Sequence, residues 1–128
     1  MHDQPRRILI VEDDYTTALV MSQYLEAYGY RTILARNGIE GVAKFVDESP
    51  DIAFVDCALP KRNGFEACLE MKQSAHGRST PVVLMSAVYR NTESAKEHAR
   101  TTQAVGFLKK PFDLDVMLEW VRELVGEP

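Results

Sequence analysis

The chain has 128 residues, 45% of them hydrophobic and 27% charged, the balance of one globular domain whose core needs no disulfide. A net charge of -4 argues against a nucleic-acid surface, where Lys and Arg dominate, and no apolar run approaches the ~20 residues of a membrane span. Residues 1–7 are partly basic, but the apolar run after them is too short for a signal peptide and no small-residue cleavage site follows, so a cytoplasmic location is expected.

Short β-branched runs alternate with helical patterns from residue 7 onward. Residues 7–11 read as a first strand, followed by Glu12, Asp13 and Asp14. Asp14 is placed to cap a helix over 15–27, with Ala18, Met21 and Leu25 on one face and Gly29 as its stop. A second strand is expected over 31–34. Asn37 precedes a helix over 38–47, with Ile39, Val42, Ala43 and Val46 as its apolar stripe and Pro50 beyond its end. The third strand, 51–55, leads into Asp56. A helix over 64–73 presents Phe65, Cys68, Leu69 and Lys72 at helical spacing.

The fourth strand, 81–85, leads into Ser86. A polar, weakly amphipathic fourth helix is expected over 91–101. A last strand over 106–108 runs into Lys109, Lys110 and Pro111. Asp113 would cap a fifth helix, with Val116, Leu118, Trp120, Val121 and Leu124 on its apolar side. Cys57 and Cys68 form neither a CxxC pair nor a metal-ligand spacing and read as buried thiols.

Five strands, several of them solidly apolar, alternating with five helices predict a doubly wound α/β domain with a parallel sheet and right-handed crossovers. Two strand orders are plausible, and the flavodoxin-like 2-1-3-4-5 is preferred because it sets the ends of the first and third strands, which carry Glu12, Asp13 and Asp56, side by side at the topological switch point. We expect one domain over residues 7–125, with a short extension (1–6) and tail (126–128).

That order gathers polar side chains from several strand ends into one crevice. Three carboxylates there repel one another unless a cation sits among them, and an all-oxygen donor set suits Mg²⁺ rather than zinc. Asp13 and Asp56 are the expected direct ligands. Glu12 would hold a coordinated water, and the Ala58 carbonyl would complete the protein's share. A carboxylate beside such a cation can attack a phosphoryl group, with an ammonium neutralising the transferring oxygens. Asp56 and Lys110 fit those two roles, and Ser86 can donate its hydroxyl to a phosphoryl oxygen. Alternation along the strand should send Lys109 and Lys110 to different sides, and the Pro111 that follows favours Lys110 for the role, leaving Lys109 as a surface charge. A Lys110–Pro111 bond can be cis at a cost of about 0.5–1 kcal/mol.

These motifs, namely Val11-Glu12-Asp13-Asp14, Val55-Asp56 with Leu59-Pro60 and Asn63-Gly64, Met85-Ser86-Ala87, and Phe107 to Phe112, together resemble the receiver domain of two-component response regulators. The resemblance implies a phosphoryl group taken from a sensor histidine kinase or a histidine phosphotransfer protein. It makes Asp56 the acceptor, assigns Glu12 and Asp13 to the magnesium site, and makes Ser86 and Phe107 the switch pair. It places output, and a possible dimer, on the surface of the fourth helix, fifth strand and fifth helix. The downstream protein is unspecified, and neither nucleic acid nor membrane is an expected partner.

Ala58 and Val88 stand where better-known members carry polar residues, so a comparatively long-lived phosphoryl group is expected. Two rival classes fit less well. An aspartyl-phosphate phosphatase or mutase usually carries a second Asp at the place of Ala58. A nucleotide-binding domain would need a GxGxxG or GxxxxGK loop, and none is present.

Overall fold

The computed structural model describes residues 4–59, 61, 63–87, 97 and 100–128. Its five strands are β1 (Arg7–Val11), β2 (Arg31–Ala35), β3 (Ile52–Asp56), β4 (Val82–Ser86) and β5 (Gly106–Lys109). All pairings are parallel, as the apolar runs predict, and the order is β2-β1-β3-β4-β5, the one preferred for bringing Glu12, Asp13 and Asp56 together. Every expected strand boundary falls within one residue of the observed one. The helices are α1 (Tyr15–Ala27), α2 (Gly38–Glu48), α3 (Gly64–Gln73), α4, of which residues 97 and 100–102 are described, and α5 (Leu114–Val125). Val88 and the remainder of the expected fourth helix lie outside the described residues. Among the described residues no helix is long and apolar enough to cross a membrane.

The sheet is covered on both faces, which is why β1, β3 and β4 are nearly continuous in apolar residues. Period-two alternation divides their side chains between two cores. Ile8, Ile10, Ile52, Phe54, Val83 and Met85 pack with Met21, Leu25, Met117 and Val121 of α1 and α5. Leu9, Val11, Ala53, Val55, Val82 and Leu84 pack with Phe45, Ala67, Cys68 and Met71 of α2 and α3.

Helix α2 departs from the expected face. Ile39, Ala43 and Val46 are exposed and Val42 is half-buried, while Gly38, Gly41 and Phe45 face the sheet. A Cβ on Gly41 would stand 2.9 Å from both Val11 methyls, so the glycine is what lets the helix approach β1 this closely. The large Phe45 ring, wholly buried, fills the space one turn later.

Smaller differences have similar causes. Met117 takes the inner place on α5 and Val116 turns outward. On α3, Ala67 and Met71 join Cys68 in the core, whereas Phe65, Leu69 and Lys72 are half-buried. Asp14 and Asp113 occupy N-cap positions without bonding backbone amides, and the Asp14 carboxylate accepts the Thr17 hydroxyl instead. Asn37 and Asn63 do cap their helices, accepting the amides of Glu40 at 2.8 Å and Glu66 at 2.9 Å.

The α2 face is testable by urea unfolding in dilute solution. Phe45→Ala is expected to cost about 3–5 kcal/mol through the cavity it leaves. Ile39→Ser should stay within about 0.5 kcal/mol. Equal losses at both positions would mean the helix is rotated.

Burial pushes the thiol of Cys57 up to about 12 and that of Cys68 to about 11. Because the thiolate is the reactive form, a disulfide reagent at pH 8 is expected to titrate neither cysteine in the native protein and both after unfolding. Fast native modification of either would contradict this packing.

Candidate functional site

The pairing of β1 with β3 sets Val11 beside Val55, so the residues that end or follow these strands share one crevice. Glu12 is fixed by its own amide, which donates to the Ala35 carbonyl at 3.0 Å. Glu12 and Asp56 are buried, and Asp13 is exposed at the rim. One carboxylate oxygen from each of Glu12, Asp13 and Asp56 lies within 4.8 Å of the other two.

Lys110 reaches this cluster from the far side of the sheet's end. Its Nζ donates to Glu12 Oε1 at 2.5 Å and to Asp56 Oδ2 at 2.9 Å. The Lys110 amide donates to the Ser86 carbonyl at 2.9 Å, tying the loop after β5 to the end of β4. The Lys110–Pro111 peptide is cis. Lys109 is exposed, as alternation requires.

The second Asp56 oxygen, Oδ1, accepts the Ala58 amide at 3.0 Å. Ser86 is buried at the end of β4, where it pairs in register with Lys109. Phe107 is half-buried on β5, and its ring meets Phe65 edge to face with centroids 6.2 Å apart.

Gly64 belongs to this arrangement, and its structural reason was hidden in the sequence. Its amide donates to the Cys57 carbonyl at 3.0 Å, and a Cβ there would stand 2.1 Å from the Asp56 carbonyl oxygen. Only a residue without a side chain lets the first turn of α3 lie against the backbone of Asp56. The signal was the Asn63-Gly64 pair, a cap followed at once by the residue that clears the space.

Electrostatics reflect crowding. Burial first, and then the neighbouring Asp56, push the Glu12 carboxyl up to about 7, although Lys110 and the Asp14 amide pull the other way. Burial alone would lower Lys110, but the two carboxylates outweigh it and hold its ammonium above the usual lysine value. With all three carboxylates ionised, one ammonium leaves two negative charges uncompensated. Hard oxygen donors carrying that excess suit a divalent cation of the Mg²⁺ type.

Beside Lys110 opens a largely apolar groove of about 550 Å³, lined by Thr17, Val20, Met21, Pro111 and Phe112 among others.

Comparison with known proteins agrees with this geometry. The family model for the response regulator receiver domain matches residues 8–122. Protein PilH of Pseudomonas aeruginosa is 30% identical over 120 residues, covering 94% of this chain and 98% of PilH. The DNA-binding transcriptional regulator RpaA of Synechocystis is 34% identical over 119 residues, but the chain spans only 48% of that protein. The receiver domain of a Pseudomonas aeruginosa sensor histidine kinase, whose structure holds a magnesium ion in its active-site cleft, superposes with a TM-score of 0.85 at 26% identity. That match covers 96% of this chain and 99% of the other. A parallel sheet in the order 2-1-3-4-5, an acidic crevice at its switch point and a family match across most of the length lead to one assignment: this chain belongs to the response regulator receiver domain family of two-component signalling.

Proposed function

We propose that Asp56 accepts a phosphoryl group from a phosphohistidine on a sensor histidine kinase or histidine phosphotransfer protein. The observation that carries this is the convergence of three carboxylates and the Lys110 ammonium at the ends of β1, β3 and β5. Glu12, Asp13, Asp56 and the Ala58 carbonyl would hold Mg²⁺, with Glu12 acting through a bound water. Bound there, the cation would neutralise charge on the transferring oxygens.

An Asp56 carboxylate oxygen attacks phosphorus while the phosphorus–nitrogen bond to the donor imidazole breaks. The imidazole leaves with its electron pair and is protonated by solvent, and an acyl phosphate remains on Asp56. Lys110, now bonded to Asp56 Oδ2, moves its ammonium to a phosphoryl oxygen. Ser86 donates its hydroxyl to another, and Phe107 turns inward from its contact with Phe65. Biasing two existing conformations from 1:99 to 99:1 requires about 5.5 kcal/mol of differential stabilisation.

The donor domain would dock over the apolar groove, which Lys110, itself bonded to Asp56, helps to line. Output would run through the surface of α4, β5 and α5, either to an unidentified downstream protein or into a dimer. The methyl of Ala58 offers no hydrogen bond to position water, which favours slow hydrolysis; Val88, with the same property, lies outside the described residues. In this reading the receiver unit spans 7–125, acts in the cytoplasm, and catalyses nothing beyond its own phosphorylation and slow dephosphorylation.

Acetyl phosphate with Mg²⁺ is expected to label the wild-type chain at one site, with a label that decays slowly once donor is removed. Asp56→Asn should take up none. Full labelling of that variant, or decay within seconds, would contradict the assignment.

Mg²⁺ should also raise the melting temperature, since a ligand binding only the folded state at 100-fold over its Kd adds about 2.7 kcal/mol. Asp13→Asn should melt higher than wild type without Mg²⁺, through relief of repulsion, and should respond far less to added Mg²⁺. An undiminished response in Asp13→Asn would remove that residue from the ligand set.

A further inference from the structure

Helix α2 turns an apolar edge to solvent. Ile39 is 54% exposed and Val46 51%, and Ala43 between them is exposed as well. Spaced i, i+4 and i+7, the three form one stripe along the helix. The inner face is already satisfied by Gly41 and Phe45 against the sheet, so the stripe contributes nothing to this core. Large apolar side chains aligned in the open mark a contact surface.

The charges beside the stripe indicate what covers it. Arg36 stands just before the N-cap and is exposed. Its backbone amide bonds Glu40, but its guanidinium makes no hydrogen bond or ion pair among the described residues. At the other end Asp47 is exposed, and its carboxylate is likewise unpaired among the described residues. Arg36 precedes the extended N-cap Asn37 and so stands off the N-terminal end of the helix, while Asp47 lies in its last turn beside the stripe, which therefore runs from a basic end to an acidic one.

We propose that α2 is a self-association surface on which a second copy of this chain docks antiparallel about a two-fold axis. Such an axis reverses the helix direction, so the Arg36 end of one copy meets the Asp47 end of the other, and the contact is made twice. Ile39 packs against the partner's Val46. Ala43 falls at the axis, where its small side chain permits close approach. A parallel pairing would set Arg36 on Arg36 and acid on acid, and its cost selects the antiparallel one. A single helix pair is a small interface, so the association is weak and concentration-dependent. The surface lies in the α2/α3 layer, apart from both Asp56 and the α4-β5-α5 face.

Sedimentation equilibrium of the full chain over a concentration series tests this. The wild type is expected to dimerise reversibly, and more weakly as salt is added. Val46→Glu should weaken dimerisation at least tenfold while leaving circular dichroism and acetyl phosphate labelling unchanged. Arg36→Glu and Asp47→Lys should each weaken it. The double variant R36E/D47K should recover it. A wild type that stays monomeric throughout, a dimer indifferent to Val46→Glu, or a double variant no better than its parents would overturn the proposal. Labelling of Asp56 is read separately, so failure here leaves the phosphoacceptor assignment standing.

Discussion

The Lys110 ammonium, held between Glu12 and Asp56, is the interaction on which this molecule turns. Two carboxylates buried this close cannot both stay ionised at low cost unless a positive charge lies between them. Lys110 provides that charge from the opposite end of the chain, so the loop after β5 is drawn onto the ends of β1 and β3. Asp13 then adds a third carboxylate that Lys110 does not neutralise. The folded state keeps an excess of negative charge where packing alone would have removed it. That excess is the signature of a site shaped for something cationic.

Much of this was legible in the sequence because strand ends are easy to read. Unbroken runs such as 8–11 and 82–85 announce buried parallel strands, and the first polar residue after each is buried at the strand's end. Lys110 could be told from Lys109 because alternation separates the two and Pro111 follows the former. The helices were less transparent. On α2 the apolar residues Ile39 and Val46 carry the helical period, yet Gly41 decides which face approaches the sheet. Glycine scores as neither polar nor apolar, so periodicity cannot register close backbone contact. Asp14 and Asp113 sit where caps belong but bond no backbone amide, and Asp14 takes the Thr17 hydroxyl instead, which residue type alone does not announce.

The two-layered architecture separates tasks. The α1 and α5 layer borders the groove beside Lys110, and its core includes Leu108 just before that residue's loop. The α2 and α3 layer carries the exposed stripe and the other core. The sheet between them is rigid and fully paired internally. A partner on α2 and a phosphodonor near Lys110 would therefore occupy different sides of the molecule and need not compete for surface.

Gly64 sets a limit of another kind. Where α3 begins, main chain rests on main chain at Asp56 and Cys57. Most contacts in a protein can drift over generations, as one side chain shrinks and its neighbour grows. A junction made of peptide groups has no such freedom, because there is nothing in it to trim or lengthen. The distance from Asp56 to this helix is thus held fixed, and variation among relatives of this chain is to be sought in the surfaces around it.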